Sequence, residues 1–124
     1  MSLFDVDIIE EELPLKERFR LDFDKAVERG IQHSKRRIST FGETFNRLYP
    51  IYESVQGMFF NNENFNLRDS RNGSIIGAAH SISCNTINNE RDYLIILSMR
   101  ITFENGNDER WEFSKEFPVK TLNV

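Results

Sequence analysis

The chain has 124 residues, a length that suits one domain with a single hydrophobic core. Its 39% hydrophobic and 12% aromatic content excludes the apolar-poor composition of a disordered chain, and no apolar run approaches the roughly 18 residues that span a bilayer. A formal charge of -4 argues against general affinity for nucleic acid, and a single cysteine excludes an internal disulfide framework and a multi-cysteine zinc site.

The N-terminus is acidic and has neither the basic nor the apolar region of a signal peptide, so we expect a cytoplasmic protein. We expect residues 1–13 to form an acidic N-terminal arm and residues 14–124 to form a single α+β domain. The arm has two interpretations: a solvated terminus, or a docking strip for a basic partner with Phe4, Ile8 and Ile9 as apolar anchors.

Two amphipathic helices are predicted next. The first starts near Pro14, ends near Lys35–Arg37, and carries an apolar stripe at i,i+4 spacing: Phe19, Phe23, Val27 and Ile31. Gly30 within it indicates a bend or a close helix contact. Thr40, followed three residues later by Glu43, resembles a capping box and predicts that the second helix starts there. Pro50 should kink that helix, and Gly57 should end it.

The asparagine-rich stretch 61–73 is predicted to be a loop, and strands follow it. One strand alternates Ile76, Ala78, His80, Ile82 and Cys84 on one face and reaches the next strand through a polar loop near 86–91. The central strand, 92–103, places Tyr93 to Phe103 at odd positions on one face, with the other face partly covered at its start and solvated near Arg100 and Thr102.

A hairpin with a turn at Asn105–Gly106 joins this strand to the last one, which carries Trp111, Phe113 and Phe117. A three-residue loop, 105–107, would place Ile101 opposite Trp111 and Met99 opposite Phe113. Lys115 would then lie opposite Leu97, a charged residue on the otherwise apolar face of the pairing.

This order of elements predicts an α+β fold, in which two N-terminal amphipathic helices pack on one face of a curled antiparallel sheet of three or four strands. No spacing typical of a metal site is present. His80 and Cys84 do not form a catalytic pair, because four residues along a strand separate them by ~13 Å. We therefore predict no catalytic residue, cofactor or metal, and expect that the protein is not an enzyme.

The leading functional hypothesis is a small recognition module, such as an adaptor, inhibitor or accessory protein, that binds a protein partner or an identical subunit. Eleven Phe, three Tyr and one Trp form an aromatic excess that extends into the asparagine-rich stretch, where arginines accompany it. The alternative for this stretch is a loop packed on a satellite cluster. The predicted partner-binding residues are Phe59, Phe60, Phe65, Arg68, Arg71, Arg100 and Arg110.

Two other hypotheses remain open. A ligand-binding or catalytic pocket between the helices and the concave sheet, as in cone-like α+β folds, would be lined by Tyr49, Tyr52, His80, Met99 and Trp111. The basic patch Arg29–Arg37 is compatible with nucleotide or nucleic-acid binding, although basic residues at a helix end are also typical of helix-dipole complementarity.

Overall fold

The structure is a computed structural model that describes residues 13–41, 47–60, 65–69 and 71–122, with side chains described only up to residue 36 in the first range. It contains two helices, α1 (Leu15–Phe41) and α2 (Tyr49–Phe59). Four strands follow, β1 (Asn66–Arg68), β2 (Ile75–Asn88), β3 (Asp92–Phe103) and β4 (Asp108–Pro118), and a short 3-10 turn spans Val119–Thr121. The strands form one antiparallel sheet in the order β1-β2-β3-β4, which confirms the α+β prediction.

Helix α1 buries the stripe that the sequence predicts, with Phe19, Phe23, Val27 and Ile31 all inaccessible to solvent or nearly so. It is longer than predicted, because it continues through Thr40 to Phe41. A second helix starting at Thr40 is therefore wrong; Glu43 lies outside the described residues. No Gly or Pro interrupts residues 35–41, and once a helix is nucleated each added residue gains a hydrogen bond.

Helix α2 begins at Tyr49, and Pro50 lies in its first turn. The predicted kink is wrong. The N–H groups of the first turn have no hydrogen-bond partner within the helix, so the N–H that Pro50 lacks costs nothing there. Gly57 does not end the helix, which continues to Phe59.

The two helices cross in close contact at Gly30. A Cβ atom added there would lie 2.4 Å from the Cα atom of Ile51, so the backbone of α2 occupies the space that a side chain would need. Near this crossing the hydroxyl of Ser54 donates a hydrogen bond to the carbonyl oxygen of Ala26 at 2.6 Å. The close contact that Gly30 predicts is confirmed.

Strand β1 corrects the prediction of a loop over residues 61–73. Its central residue, Leu67, is fully buried and pairs with Gly77 of β2. A three-residue strand is too short to show alternation in the sequence, so it is recognised only from its pairing with β2 in the structure. Residues 61–64 and 70 lie outside the described part of the chain.

A β-bulge divides β2. His80 pairs with Arg100 and Ser83 with Ser98, so β2 has one more residue than β3 between these two pairs. Within this extra stretch Ser81 has a φ of 54°. One inserted residue exchanges the two faces of a strand, so Ala79 faces the helices before the bulge and Cys84 after it. The prediction that His80 and Cys84 share a face is wrong for this reason. The strand also continues past Thr86 to Asn88.

The β3–β4 hairpin has the predicted three-residue loop, but the loop comprises 104–106 rather than 105–107. The N–H of Phe103 donates to the carbonyl of Asn107 at 2.8 Å, and Gly106 has a φ of 89°. In such loops the third residue adopts the left-handed conformation, and Gly does so without strain. Met99 is consequently opposite Trp111 and Leu97 opposite Phe113, with Lys115 opposite Ile95, so the predicted partners are wrong by two residues while the predicted faces are right.

The core lies between the helices and the odd-numbered residues of β3 and β4. Its centre is a group of aromatic rings: Phe19, Phe23, Phe59, Trp111 and Phe113. Helix α1 packs against β4, and α2 packs against β1. Among the described helices, none combines the length and the apolar character needed to cross a membrane.

Candidate functional site: the open face of the sheet

Two of the residues predicted to bind a partner belong to the core. Phe59 and Phe60 are buried, and the ring of Phe59 stacks on that of Phe19 with centroids 5.6 Å apart. Phe60 forms an isolated bridge with Leu67. Because β1 folds back onto the end of α2, the prediction that these two rings are exposed is wrong.

The next three predicted residues lie around β1, away from the other two arginines. Phe65 is 45% exposed, has a φ of 54° and contacts Phe60 edge-on. The guanidinium of Arg68 donates a hydrogen bond to the carbonyl oxygen of Gly57 at the end of α2. Arg71 is exposed in a turn whose backbone is held by the carboxylate of Asp69. Phe65 is thus the exposed aromatic residue of this group.

Arg100 and Arg110 lie on the face of the sheet that points away from the helices. We call this surface the open face; its described members include Ala78, His80, Ser83, Asn85 and Ile87 of β2, Leu94, Ile96, Ser98, Arg100 and Thr102 of β3, and Asp108, Arg110, Glu112, Ser114 and Glu116 of β4. Both arginines are exposed and directly opposite each other, and His80 is opposite Arg100 on its other side. The register therefore places three basic side chains in one row across three strands, which we call the basic row.

Like charges on directly opposed residues of neighbouring strands are unfavourable. Arg100 and Arg110 form a non-hydrogen-bonded pair of the hairpin. In such pairs the two Cα atoms are only about 4.5 Å apart, so the side chains are close together. Within the described part of the chain, neither guanidinium is within salt-bridge distance of a carboxylate. The pair is a local electrostatic cost, which Asp108 and Glu112, two residues to either side of Arg110 on the same face, reduce in part.

A hydrogen-bonded chain fixes the imidazole at one end of the basic row. The hydroxyl of Thr102 donates to the carboxylate of Asp108 at 2.7 Å, so it accepts from Nε2 of His80, 3.0 Å away. Asp108 is thereby engaged with Thr102 rather than with either arginine.

The other half of the open face is apolar. Ile87 is 60% exposed and lies opposite Leu94, and Ile96 follows two residues along β3; Leu94 and Ile96 are partly buried. The sequence analysis predicts cover near the start of β3 and solvent near Arg100 and Thr102; the burial pattern confirms exposure at Arg100, whereas Thr102 is partly buried like Leu94 and Ile96. The open face thus combines an apolar half with the basic row, and Ile96 and Arg100 are ~13 Å apart along the strand.

The five residues predicted to line an interior pocket do not converge. Met99 and Trp111 are buried, and Trp111 contacts the rings of Phe19 and Phe103. His80 is on the opposite side of the sheet from both. Tyr49 is 43% exposed, and the hydroxyl of Tyr52 is 2.5 Å from that of Thr86. Where the predicted pocket would lie, Met99 and Trp111 fill the space with their own side chains.

A groove of about 770 Å³ lies elsewhere, between the two helices and next to the end of β1. Its basic lining comes from Lys25, Arg29 and His33, which share a stripe of α1, and from Arg68 of β1. Asp22 and Glu53 also line it, and both have partners. Of the predicted patch Arg29–Arg37, Arg29 reaches the groove, Arg36 is exposed, and the side chain of Arg37 lies outside the described residues. The i,i+4 spacing of Lys25 and Arg29 is a sequence signal for this stripe, whereas the participation of Arg68 depends on the fold.

Cys84 and the histidines do not form a catalytic arrangement. Cys84 faces the helices and His80 the open face, and burial raises the pKa of the Cys84 thiol to about 11. A thiol with that pKa is protonated at neutral pH and is a poor nucleophile. Among the described residues, no group of three or more His, Cys, Asp or Glu side chains is arranged to hold a metal ion.

Comparison of the chain with protein-family models, with curated proteins and with solved structures finds no match.

Proposed function

We propose that the protein is a non-enzymatic recognition module that binds a protein partner through the open face. The observation that carries the proposal is that Arg100 and Arg110, which form no ion pair with a described carboxylate, share one face of the sheet with exposed Ile87 and partly buried Leu94 and Ile96. Arginine is enriched in protein interfaces, whose buried centres are more apolar than the rest of the surface.

The arrangement of the open face suggests what chemistry a partner would have. Ile87, Leu94 and Ile96 accept apolar side chains, and the basic row accepts carboxylates. The two regions are ~13 Å apart, a distance that about four residues of extended chain span. The expected ligand is an extended protein segment with apolar residues at one end and Asp or Glu at the other.

A displayed library of random peptides, selected on the purified full-length protein, tests the proposal. We expect enrichment of peptides that combine apolar residues with Asp or Glu about four positions away. Reversing both charges, Arg100→Glu with Arg110→Glu, should weaken the selected peptides about tenfold or more, because two attractive contacts become repulsive.

The matched control is Lys16→Glu with Lys120→Glu, which changes the net charge equally at exposed positions outside the open face and the groove. We expect the control to retain affinity within about twofold, since screening weakens charges that lie more than ~10 Å from the peptide. Equal weakening in both double variants, or no enrichment of apolar and acidic peptides, contradicts the proposal.

A second candidate function is the binding of a small anion, such as a nucleotide, in the groove between the helices. The observation in its favour is the convergence of Lys25, Arg29, His33 and Arg68 on a cavity of ligand size. Titration calorimetry with ATP should then show binding at low salt that weakens as salt screens the phosphates, and Arg29→Gln should reduce the affinity about tenfold. Absence of heat at low salt contradicts this second function.

A further inference from the structure

In the described part of the chain, one edge of strand β2 is covered over only part of its length. Strand β1 pairs with residues 75–78, and the N–H of Ala79 donates to the carbonyl of Phe65 at 3.0 Å. Beyond the bulge, residues 82–88 extend a further ~20 Å. Among the described residues, none outside β3 hydrogen-bonds to the backbone of this segment, which we call the free edge.

The hydrogen-bond pattern identifies which backbone groups of the free edge point outward. The N–H of Asn89 donates to the carbonyl of Asp92 at the turn into β3, so the odd-numbered residues of this part of β2 bond to β3. The even-numbered residues direct their N–H and C=O groups away from the sheet; they are Ile82, Cys84, Thr86 and Asn88. These groups form a row ready to pair with another extended chain.

The free edge lacks the charged side chains and prolines with which many proteins protect exposed strands. It has no Pro, Lys or other charged residue. The opposite edge of the sheet is β4, which carries Lys115 on the helix side and four charged residues on the open face, namely Asp108, Arg110, Glu112 and Glu116. Charged side chains on an edge strand oppose its pairing with a further strand. The two edges of one sheet therefore differ in their readiness to add a strand.

From these observations we infer that the free edge pairs antiparallel with the free edge of a second copy of this chain, giving a dimer with one continuous eight-stranded sheet. Antiparallel pairing of a strand with its own copy places side chains of the same strand opposite one another, and an uncharged strand meets no like charge. With Asn85 on the twofold axis, all four outward residues find partners: Ile82 pairs with Asn88, and Cys84 with Thr86. The inference does not depend on the open-face proposal.

Asn85 provides the test, because it and Ser114 flank Ile96 on opposite sides, both exposed on the open face. We expect light scattering to give the wild-type protein twice the mass of one chain. Asn85→Lys places two like charges across the axis and should weaken dimerisation about fivefold or more, whereas Ser114→Lys, at the other edge, should leave it unchanged. The mass of a single chain at all concentrations, or equal effects of the two lysine variants, overturns the inference.

A disulfide checks the register independently. In a Cys84→Ser background, Asn85→Cys should form an intermolecular disulfide on mild oxidation, since opposed residues on the axis have Cα atoms about 4.5 Å apart, within disulfide range. Ser114→Cys in the same background should remain a thiol. A disulfide in the Ser114 variant but not in the Asn85 variant would place the contact at the wrong edge.

Discussion

Replacing Phe59 with Ala is expected to lower the free energy of unfolding by about 3–5 kcal/mol, whereas Phe65→Ala should lower it by less than about 1 kcal/mol. The two residues are the same amino acid, six positions apart. Phe59 is inaccessible to solvent and stacks on Phe19 and Phe113, so its removal leaves a cavity that the surrounding rings cannot fill. Phe65 is 45% exposed and contacts one ring, that of Phe60.

Urea unfolding followed by the fluorescence of Trp111 measures both variants, because this single tryptophan lies in the aromatic group that Phe59 completes. If Phe59→Ala does not fold, Phe59→Leu keeps most of the volume and should cost about 1 kcal/mol. Equal costs for Phe59→Ala and Phe65→Ala would show that the end of α2 is not packed against the core as described.

The elements that the sequence predicts well are those with a long, uninterrupted period. Strand β3 alternates over its whole length, and α1 repeats an apolar residue every four positions, so burial of one face follows directly. Helix α2 is harder to predict, because a proline such as Pro50 favours the first turn of a helix but breaks or kinks a helix interior. Only the start of the helix decides between them.

Single-residue events limit the prediction of register. The bulge at Ser81 exchanges the faces of β2, yet Ser is an ordinary strand-surface residue and gives no warning of a positive φ. The hairpin loop is different, because Gly106 is a signal for its third position. Placing Gly106 there fixes the loop at 104–106 and the partners of Met99 and Leu97 with it.

The candidate site shows the same division. Exposure of Arg100 follows from the alternation of β3 alone. The basic row does not, because bringing His80 beside Arg100 requires the register of β2 up to the bulge, and bringing Arg110 beside it requires the correct hairpin loop. The bridge that Phe60 forms with Leu67 depends on β1, three residues that no periodic pattern reveals.

The second large effect is expected at the helix crossing. Gly30→Ala should lower the free energy of unfolding by about 3 kcal/mol, although Ala is favoured over Gly inside a helix by about 1 kcal/mol. The added methyl group would lie 2.4 Å from the Cα atom of Ile51, so one helix must shift before it can be accommodated. Urea unfolding again provides the measurement.

Gly57→Ala is the matched control, because it makes the same substitution inside α2 at a position where no atom beyond the adjoining stretch of the helix lies within 4 Å of the new methyl group. There the intrinsic preference acts alone, and the free energy of unfolding should rise by about 0.5–1 kcal/mol. Opposite signs for the two glycines are the signature of a backbone contact at Gly30. Combining Gly30→Ala with Ile51→Ala should not restore stability, since the obstructing atom is the main-chain Cα of Ile51 and remains in place. Recovery of stability in that double variant would show that the side chain of Ile51, and not its backbone, sets the distance between the helices.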